Sequence, residues 1–439
     1  MKKTITLLMI ALVAISGVFA QGGSEKAASS SSEKTTLTFW SEFATPERTE
    51  YVERMAKLFE ESHPNVKVEV TSLPDKAASK ILTAYQAGQG PDVFLSSGPA
   101  VTDQIGGDYI IPLDKYFDSS SLKNIILPSA LDTVREYDAT GKGQLYYIPN
   151  GISVTTFWLR ADWLKEAGYP NGISTWEDFF DAVVKMTDKS AGKYGLAIRG
   201  GAGGAKFLDR MMYSYSGIDS IFIDGKCTIN DPKNVEFVER YLGLYGKCTA
   251  EGDLNYGWTE LSAAFDSGSA GAIIHNLGSA DAHEKAFNGD LSKFSSMGMP
   301  LNSDGVSMNL MLQPGGMTIS STCKNPDIAW EFVEFMSQGA PVDEYCQLFG
   351  VIPVDQNVLN TSEWIQAKPW YKNAAELLLN PTTKFYRSYA NLPGKNKVYT
   401  KMDELSQFVM IGQMSAKEML DQWAEAYQKA YDAWDYAGK

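Results

Sequence analysis

The sequence predicts an α/β fold divided between two domains. Two features of one early stretch, LTFWSEFATPERTEYVERMAKLFEESHPNVKVEV (Leu37 to Val70), carry the fold class. Leu37 and Phe39, and later Val66, Val68 and Val70, alternate with polar residues, the period of a half-buried strand. Between them Tyr51, Met55, Leu58 and Phe59 recur at three- and four-residue spacing, the apolar stripe of a helix. Strand, helix, strand is a βαβ unit and implies parallel strands. The third observation is length: 439 residues are too many for one compact core.

From the start of the chain, Lys2 and Lys3 precede an apolar run, Ile5 to Ile15, that is too short to span a bilayer. Val18-Phe19-Ala20 places small residues before Gln21, so residues 1–20 are expected to be a secretory signal cleaved after Ala20. The first cysteine is Cys227, so no thiol stands at the cleavage site for lipid attachment, and a soluble periplasmic product is expected. Residues 21–34 (QGGSEKAASSSSEK) read as a disordered polar leader.

Strands and helices alternate from Leu37 to Tyr116, with a strand Val93 to Leu95 after Gly90-Pro91. A strand through Tyr146 to Ile148 leads to Pro149-Asn150-Gly151, a second strand (Ser153 to Leu159) and a helix stopped by Gly168. STWEDFFDAVVKM opens a further helix with Ser174 as its expected cap. RGGAGGAKF (Arg199 to Phe207) lacks the Gly-Lys-Ser/Thr ending of a phosphate loop, so nucleotide binding is rejected there. The remainder includes a helix from about Pro326 and is mostly helical towards SAKEMLDQWAEAYQKAYDAW.

Hydrophobic residues make up 44% and charged residues 21%, a soluble globular composition. The formal charge of −14 repels phosphate backbones and anionic membranes, which argues against nucleic-acid binding and direct membrane insertion. Cys227, Cys248, Cys323 and Cys346 leave two readings open: the near pairs Cys227–Cys248 and Cys323–Cys346, or free buried thiols.

Chemistry is hard to find. Only His63, His275 and His283 occur, in no metal-binding spacing, so neither a metal site nor a cofactor is expected. No Gly-x-Ser-x-Gly elbow is present, and a glycosidase pair is defined only by separation in space. In parallel sheets the residues beyond the carboxyl ends of strands line the ligand crevice, and Trp40, Ser41 and Glu42 stand at such a place. The expectation is binding, with no catalytic residues.

The ordered motifs LTFW, FEESHPNVKVEV, GPDVFLSSGPAVTDQIGGDYIIPLDKYF, LYYIPNGISVTTFWLRADWLKEAGYP, STWEDF, AAFDSGSAGAIIHNLGS, GGMTIS, KNPDIAWEFVEFM, FGVIPV and GQMSAKEML resemble the extracellular solute-binding proteins of ABC importers, in the group with the maltose-binding proteins. The likeness runs from Leu37 to about Tyr427. It departs at Leu159-Arg160-Ala161, where the family often has Tyr-Asn-Lys, and at Asn276-Leu277-Gly278, where it often has Gly-x-Trp.

The resemblance implies a two-lobed, type II periplasmic-binding-protein-like fold with hinge strands and an interlobe cleft. Lobe one would be residues 35–149 and 317–366, and lobe two residues 150–316 and 367–439. It implies a monomer that binds a carbohydrate, expected to be an oligosaccharide, and delivers it to ABC transporter permease subunits. A charged solute such as a polyamine, or an exported carbohydrate-processing enzyme, are the alternatives. The ligand-binding candidates are Trp40, Ser41, Glu42, Ser96, Ser97, Asn150, Lys206, Asn276, Gly278, Gly315 and Gly316, with Tyr399 as the stacking aromatic.

Overall fold

The computed structural model describes residues 34–42, 44–74, 78–96, 98–138, 140–309 and 312–434. The expected signal segment, the leader as far as Glu33, and Ser97 lie outside the described residues.

The opening βαβ unit is present. β1 (Thr35–Ser41) pairs in parallel with β2 (Val66–Ser72), Leu37 opposite Val68 and Phe39 opposite Val70. The crossover is the helix Pro46–Ser62, started by Thr45, whose side chain accepts from the Arg48 amide, and by Pro46 in its first turn. Tyr51, Val52, Met55, Ala56 and Phe59 form its buried stripe, while Leu58 sits at the stripe's edge and is 41% exposed. β3 (Val93–Ser96) joins the other side of β1 in parallel. The six-stranded sheet then runs Ile352–Pro353, β4 (Ile148–Ser153), Leu312–Ile319, β3, β1, β2.

β5 (Thr155–Arg160) follows β4 after Val154 alone but belongs to a different sheet, between the strands Ala272–Asn276 and Phe294–Met297. Sheet membership therefore changes at Val154, a few residues beyond the break read from Pro149-Asn150. The sequence hides the change because β4 and β5 are both buried along almost their whole length, so no shift in pattern marks the passage from one sheet to the other. Phe157, Leu159, Ala272 and Ile274 face one core, shared with the helices Gly204–Ser216, Lys395–Met410 and Ala416–Ala433. Trp158, Ile273 and Phe294 face the other, where Trp370 of the helix Pro369–Leu379 lies 6.0 Å from Trp158 and 5.5 Å from Phe294, ring to ring. This alternation is the period of two expected of a strand.

The strand Leu312–Ile319 is the second link between the regions, its register irregular at Gly315 and Gly316. Gly316 lies between Ser96 and Pro149, and a Cβ there would stand 2.2 Å from the Ile148 carbonyl oxygen. Only glycine lets the strands approach so closely. One local expectation changes, and one open alternative is resolved. The cap of the helix Trp176–Lys185 is Thr175, in a reciprocal capping box with Asp178, and not Ser174. The cysteines are all free thiols, Cys248 and Cys346 buried and the others half-buried.

Candidate ligand-binding cleft

The helix Gly204–Ser216 builds one wall. Gly203 precedes it at φ +87°, a left-handed conformation suited to glycine. The helix start is already neutralised, because Asp403 accepts from the amides of Gly203 and Ala205 at 2.8 Å each. Lys206 and Arg210 lie one turn apart on the same face. Arg210 donates from Nη1 to Thr155 Oγ1 at 3.2 Å, and its buried Nε has no partner. Its guanidinium lies 5.0 Å from the Phe207 ring, and Arg199 lies 5.5 Å from the rings of both Phe207 and Trp258.

Behind this face, Asp209 is 1% exposed and accepts the hydroxyls of Tyr386, at 3.0 Å, and Tyr399. Lys206 Nζ and Lys395 Nζ stand 5.6 and 5.8 Å from the centroid of the Tyr399 ring. Burial lowers the pKa of both lysines, and the nearby Arg210 charge lowers each further.

The opposing wall comes from the end of the helix Pro128–Arg135, with Glu136 and Tyr137. Burial pushes the Glu136 carboxyl up to about 7, against the opposite pull of Arg387 and Lys395. Tyr137 lies within electrostatic reach of Arg210, so residues of the first region face those of the second. The carboxyl ends of β1 and β3 open towards the same junction, since Ser96 pairs with Gly316 beside Pro149.

An aromatic platform stands at the rim. Trp258 begins the helix Trp258–Asp266 and is 41% exposed. Its ring stacks over Phe207 at 6.4 Å and lies 3.5 Å from that of His275. His275 is buried, and burial together with the His283 charge drives its pKa down to about 3, so the imidazole is neutral. Next to it, Asn276 pairs with Thr155 across the strands, and its buried Oδ1 has no partner. Asn276, Thr155 and Arg210 thus share one face of the sheet with buried polar atoms left open, and Trp258 stands at its edge against His275 and Phe207.

The sequence-derived candidates distribute unevenly. Lys206 and Asn276 belong to this surface. Gly278 lies in the loop after Asn276, and a Cβ on Gly350 would stand 3.7 Å from its Cα, so the two regions touch there. Ser41 and Glu42 are buried at the end of β1, where the Glu42 amide donates to the Leu95 carbonyl at 3.4 Å. Ser96, Gly315 and Gly316 line the strand junction; Ser97 is outside the described residues. Trp40 is not beyond β1 but within it, paired with Thr71 and Phe94 and half-buried against the core.

Two candidates are corrected. Asn150 is fully buried, its amide donating to the Met336 carbonyl at 3.2 Å and accepting from Ser337 Oγ at 3.0 Å. Both ends of the side chain are occupied, so it has nothing to offer a ligand. Tyr399 is 8% exposed, with Trp423 and Tyr427 edge-on at 5.9 and 6.4 Å. It supports the wall and is no open stacking surface.

Sequence reading missed Glu136, Arg210, Trp258 and Lys395. The four-residue spacing of Lys206 and Arg210 was the available signal for one of them. Nothing local marks the others, which long-range packing brings together.

Comparison with known proteins follows this geometry. The family model described as bacterial extracellular solute-binding protein matches residues 45–338. YcjN of Escherichia coli K12, described as an ABC transporter periplasmic-binding protein, is 22% identical over 72% of this chain and 73% of its own length. An uncharacterized ABC transporter extracellular-binding protein of Pyrococcus horikoshii is 23% identical over 55% of this chain, which spans 57% of that relative's length. The solved sugar-binding protein MalE of Xanthomonas citri has the same fold, at TM-score 0.76 and 16% identity over 91% of this chain and 98% of its own.

Proposed function

The chain belongs to the bacterial extracellular solute-binding proteins, and from that premise we propose that it captures a carbohydrate in the interlobe cleft and delivers it to the permease of an ABC importer. The observation that carries the carbohydrate reading is the pair of unpartnered polar atoms Asn276 Oδ1 and Arg210 Nε, together with Trp258, an exposed ring that packs on Phe207 as Arg210 does. A sugar has apolar C–H faces and a rim of hydroxyls. A flat ring covers the face, and buried polar groups select the rim, because leaving one unmatched costs about 1–3 kcal/mol. The sugar-binding MalE of Xanthomonas citri, with the same fold, supports the reading.

The polyamine alternative loses its ground here. Arg199, Lys206, Arg210 and Lys395 line the wall, and a polycation would meet like charges.

The proposal has a mechanical part. Residues 35–149 with 317–366 are taken as one lobe and 150–316 with 367–439 as the other, the remainder of β4 up to Val154, the strand Leu312–Ile319 and the segment near Gln366 being the hinge links between them. Closure of such lobes around a ligand is a hinge motion. The family is extracellular, so the working place is the periplasm or the cell exterior. Export with cleavage after Ala20, a monomeric state and the absence of turnover complete the reading.

The test is a thermal-shift screen of the purified chain against mono- and oligosaccharides, followed by calorimetry. A ligand at 100 times its dissociation constant stabilises by about 2.7 kcal/mol. A saturable shift with a subset of sugars, and no product on prolonged incubation, is expected. Sustained release of new reducing ends would favour the enzyme instead, and no response to any saccharide would reject the carbohydrate reading.

A further inference from the structure

Resting on that reading, we infer that the solute carries an acidic group, a carboxylate, phosphate or sulfate, which docks against Lys206, Arg210 and Lys395.

Among the described residues none of these three cations forms an ion pair with a carboxylate. Lys395 Nζ donates to the Ser388 carbonyl, Arg210 Nη1 to the Thr155 hydroxyl, and Lys206 has only the Tyr399 ring beneath it. Lys206 and Lys395 both lie against Tyr399, their ammonium groups 5.6 and 5.8 Å from its ring centroid. Burial and the nearby Arg210 disfavour the charged forms of both, while Asp403 beside Lys206, and Asp209 and Glu136 beside Lys395, act in the opposite direction. Like charges gathered in this way repel one another, and a molecule of net charge −14 has no shortage of carboxylates with which to neutralise them.

The carboxylates that do lie nearby are engaged elsewhere. Asp209 accepts two tyrosine hydroxyls, and Asp403 accepts two backbone amides at the helix start. Glu136 faces the cluster from the opposite wall, but burial favours its protonated form up to about pH 7. Glu260 acts at a distance on Arg199, and its carboxylate accepts from the Gly257 amide at 3.1 Å. Cations are thus concentrated near carboxylates that, among the described residues, form no ion pair with them, Asp209 and Asp403 being hydrogen-bonded to other donors. Such an arrangement is stabilised when an anion arrives, and a guanidinium whose Nε is buried and unpaired is a ready donor to an oxyanion. Trp258 packs on Phe207 as Arg210 does, so the acidic group would belong to a ligand whose sugar portion reaches the platform.

The experiment is calorimetry on the full mature chain with matched ligands: glucose, glucuronate and glucose 6-phosphate, and galactotriose against trigalacturonate. Free phosphate and sulfate are run as anion-only arms. At least one acidic sugar should bind tenfold or more tightly than its neutral counterpart, with affinity falling as salt rises. Whether the carboxylate or the phosphate arm responds identifies the group. Lys206→Met and Arg210→Met should each remove most of the acidic preference, whereas Lys185→Met, on the exposed surface, should leave it intact. Neutral sugars binding as tightly as acidic ones, with an unchanged ratio in both variants, would overturn the inference and leave the carbohydrate reading standing. Free anions binding in an Arg210-dependent way without any saccharide response would do the reverse. No response to any anion, free or sugar-borne, would reject the acidic-group site.

Discussion

The hydroxyl of Tyr399 is donated to the carboxylate of Asp209, within the second core. Asp209 is almost fully buried, so these hydroxyl bonds help to satisfy polar atoms that water cannot reach. Tyr399 holds the wall on which Lys206 and Lys395 stand.

Tyr399→Phe therefore acts first on stability. Asp209 would keep the Tyr386 hydroxyl and lose its second donor. The expected cost is about 1–3 kcal/mol, read from urea unfolding. Loss of ligand affinity with no change in stability would contradict the placement of this ring inside the wall.

Trp258→Ala tests the platform. The ring is 41% exposed and meets Phe207, His275 and Arg199 over the rest of its surface, so its removal should cost less stability than that of a buried tryptophan. Affinity for the sugar should fall by about 1–3 kcal/mol, ten- to a hundredfold, from lost area and stacking. Calorimetry checks it, and undiminished binding would move the platform elsewhere.

Asp253 offers a pH signature. It is 1% exposed, accepts from the Ile198 amide at 2.6 Å, and burial raises its pKa from 3.8 to about 7. A carboxyl raised in the fold keeps a proton that the unfolded chain has already released. Stability from this group is therefore present below pH 3.8, falls as pH rises, and levels off above about 7. Asp253→Asn cannot titrate, so its stability relative to the parent should climb across that window, by on the order of a few kcal/mol. A relative stability that is flat between pH 4 and pH 7 would show that Asp253 is ionised throughout.

How far the sequence discloses such features depends on whether they are local. The βαβ unit of Leu37 to Val70 was legible because period and burial coincide, Leu58 excepted. The passage from β4 to β5 was not, since ISVTTFWLR is buried along almost its whole length and carries no signal of the sheet to which it belongs. Lys206 was legible from its place after the glycine run. Tyr399 and Trp258 were indistinguishable as aromatics; burial in a three-helix contact decided one, and its absence decided the other. The meeting of Glu136 with Lys395 depends on tertiary packing between distant segments, which no local pattern encodes.

The central claim is that a carbohydrate held by residues of both lobes draws them together, because only a ligand that binds the closed form better can shift the equilibrium. Small-angle X-ray scattering of the parent chain, with and without the tightest sugar from the screen, measures this directly, with Trp258→Ala at the same sugar concentration as control. The radius of gyration should fall on saturation in the parent and less in the variant. An unchanged radius at a sugar concentration that calorimetry shows to be saturating would contradict the clamp.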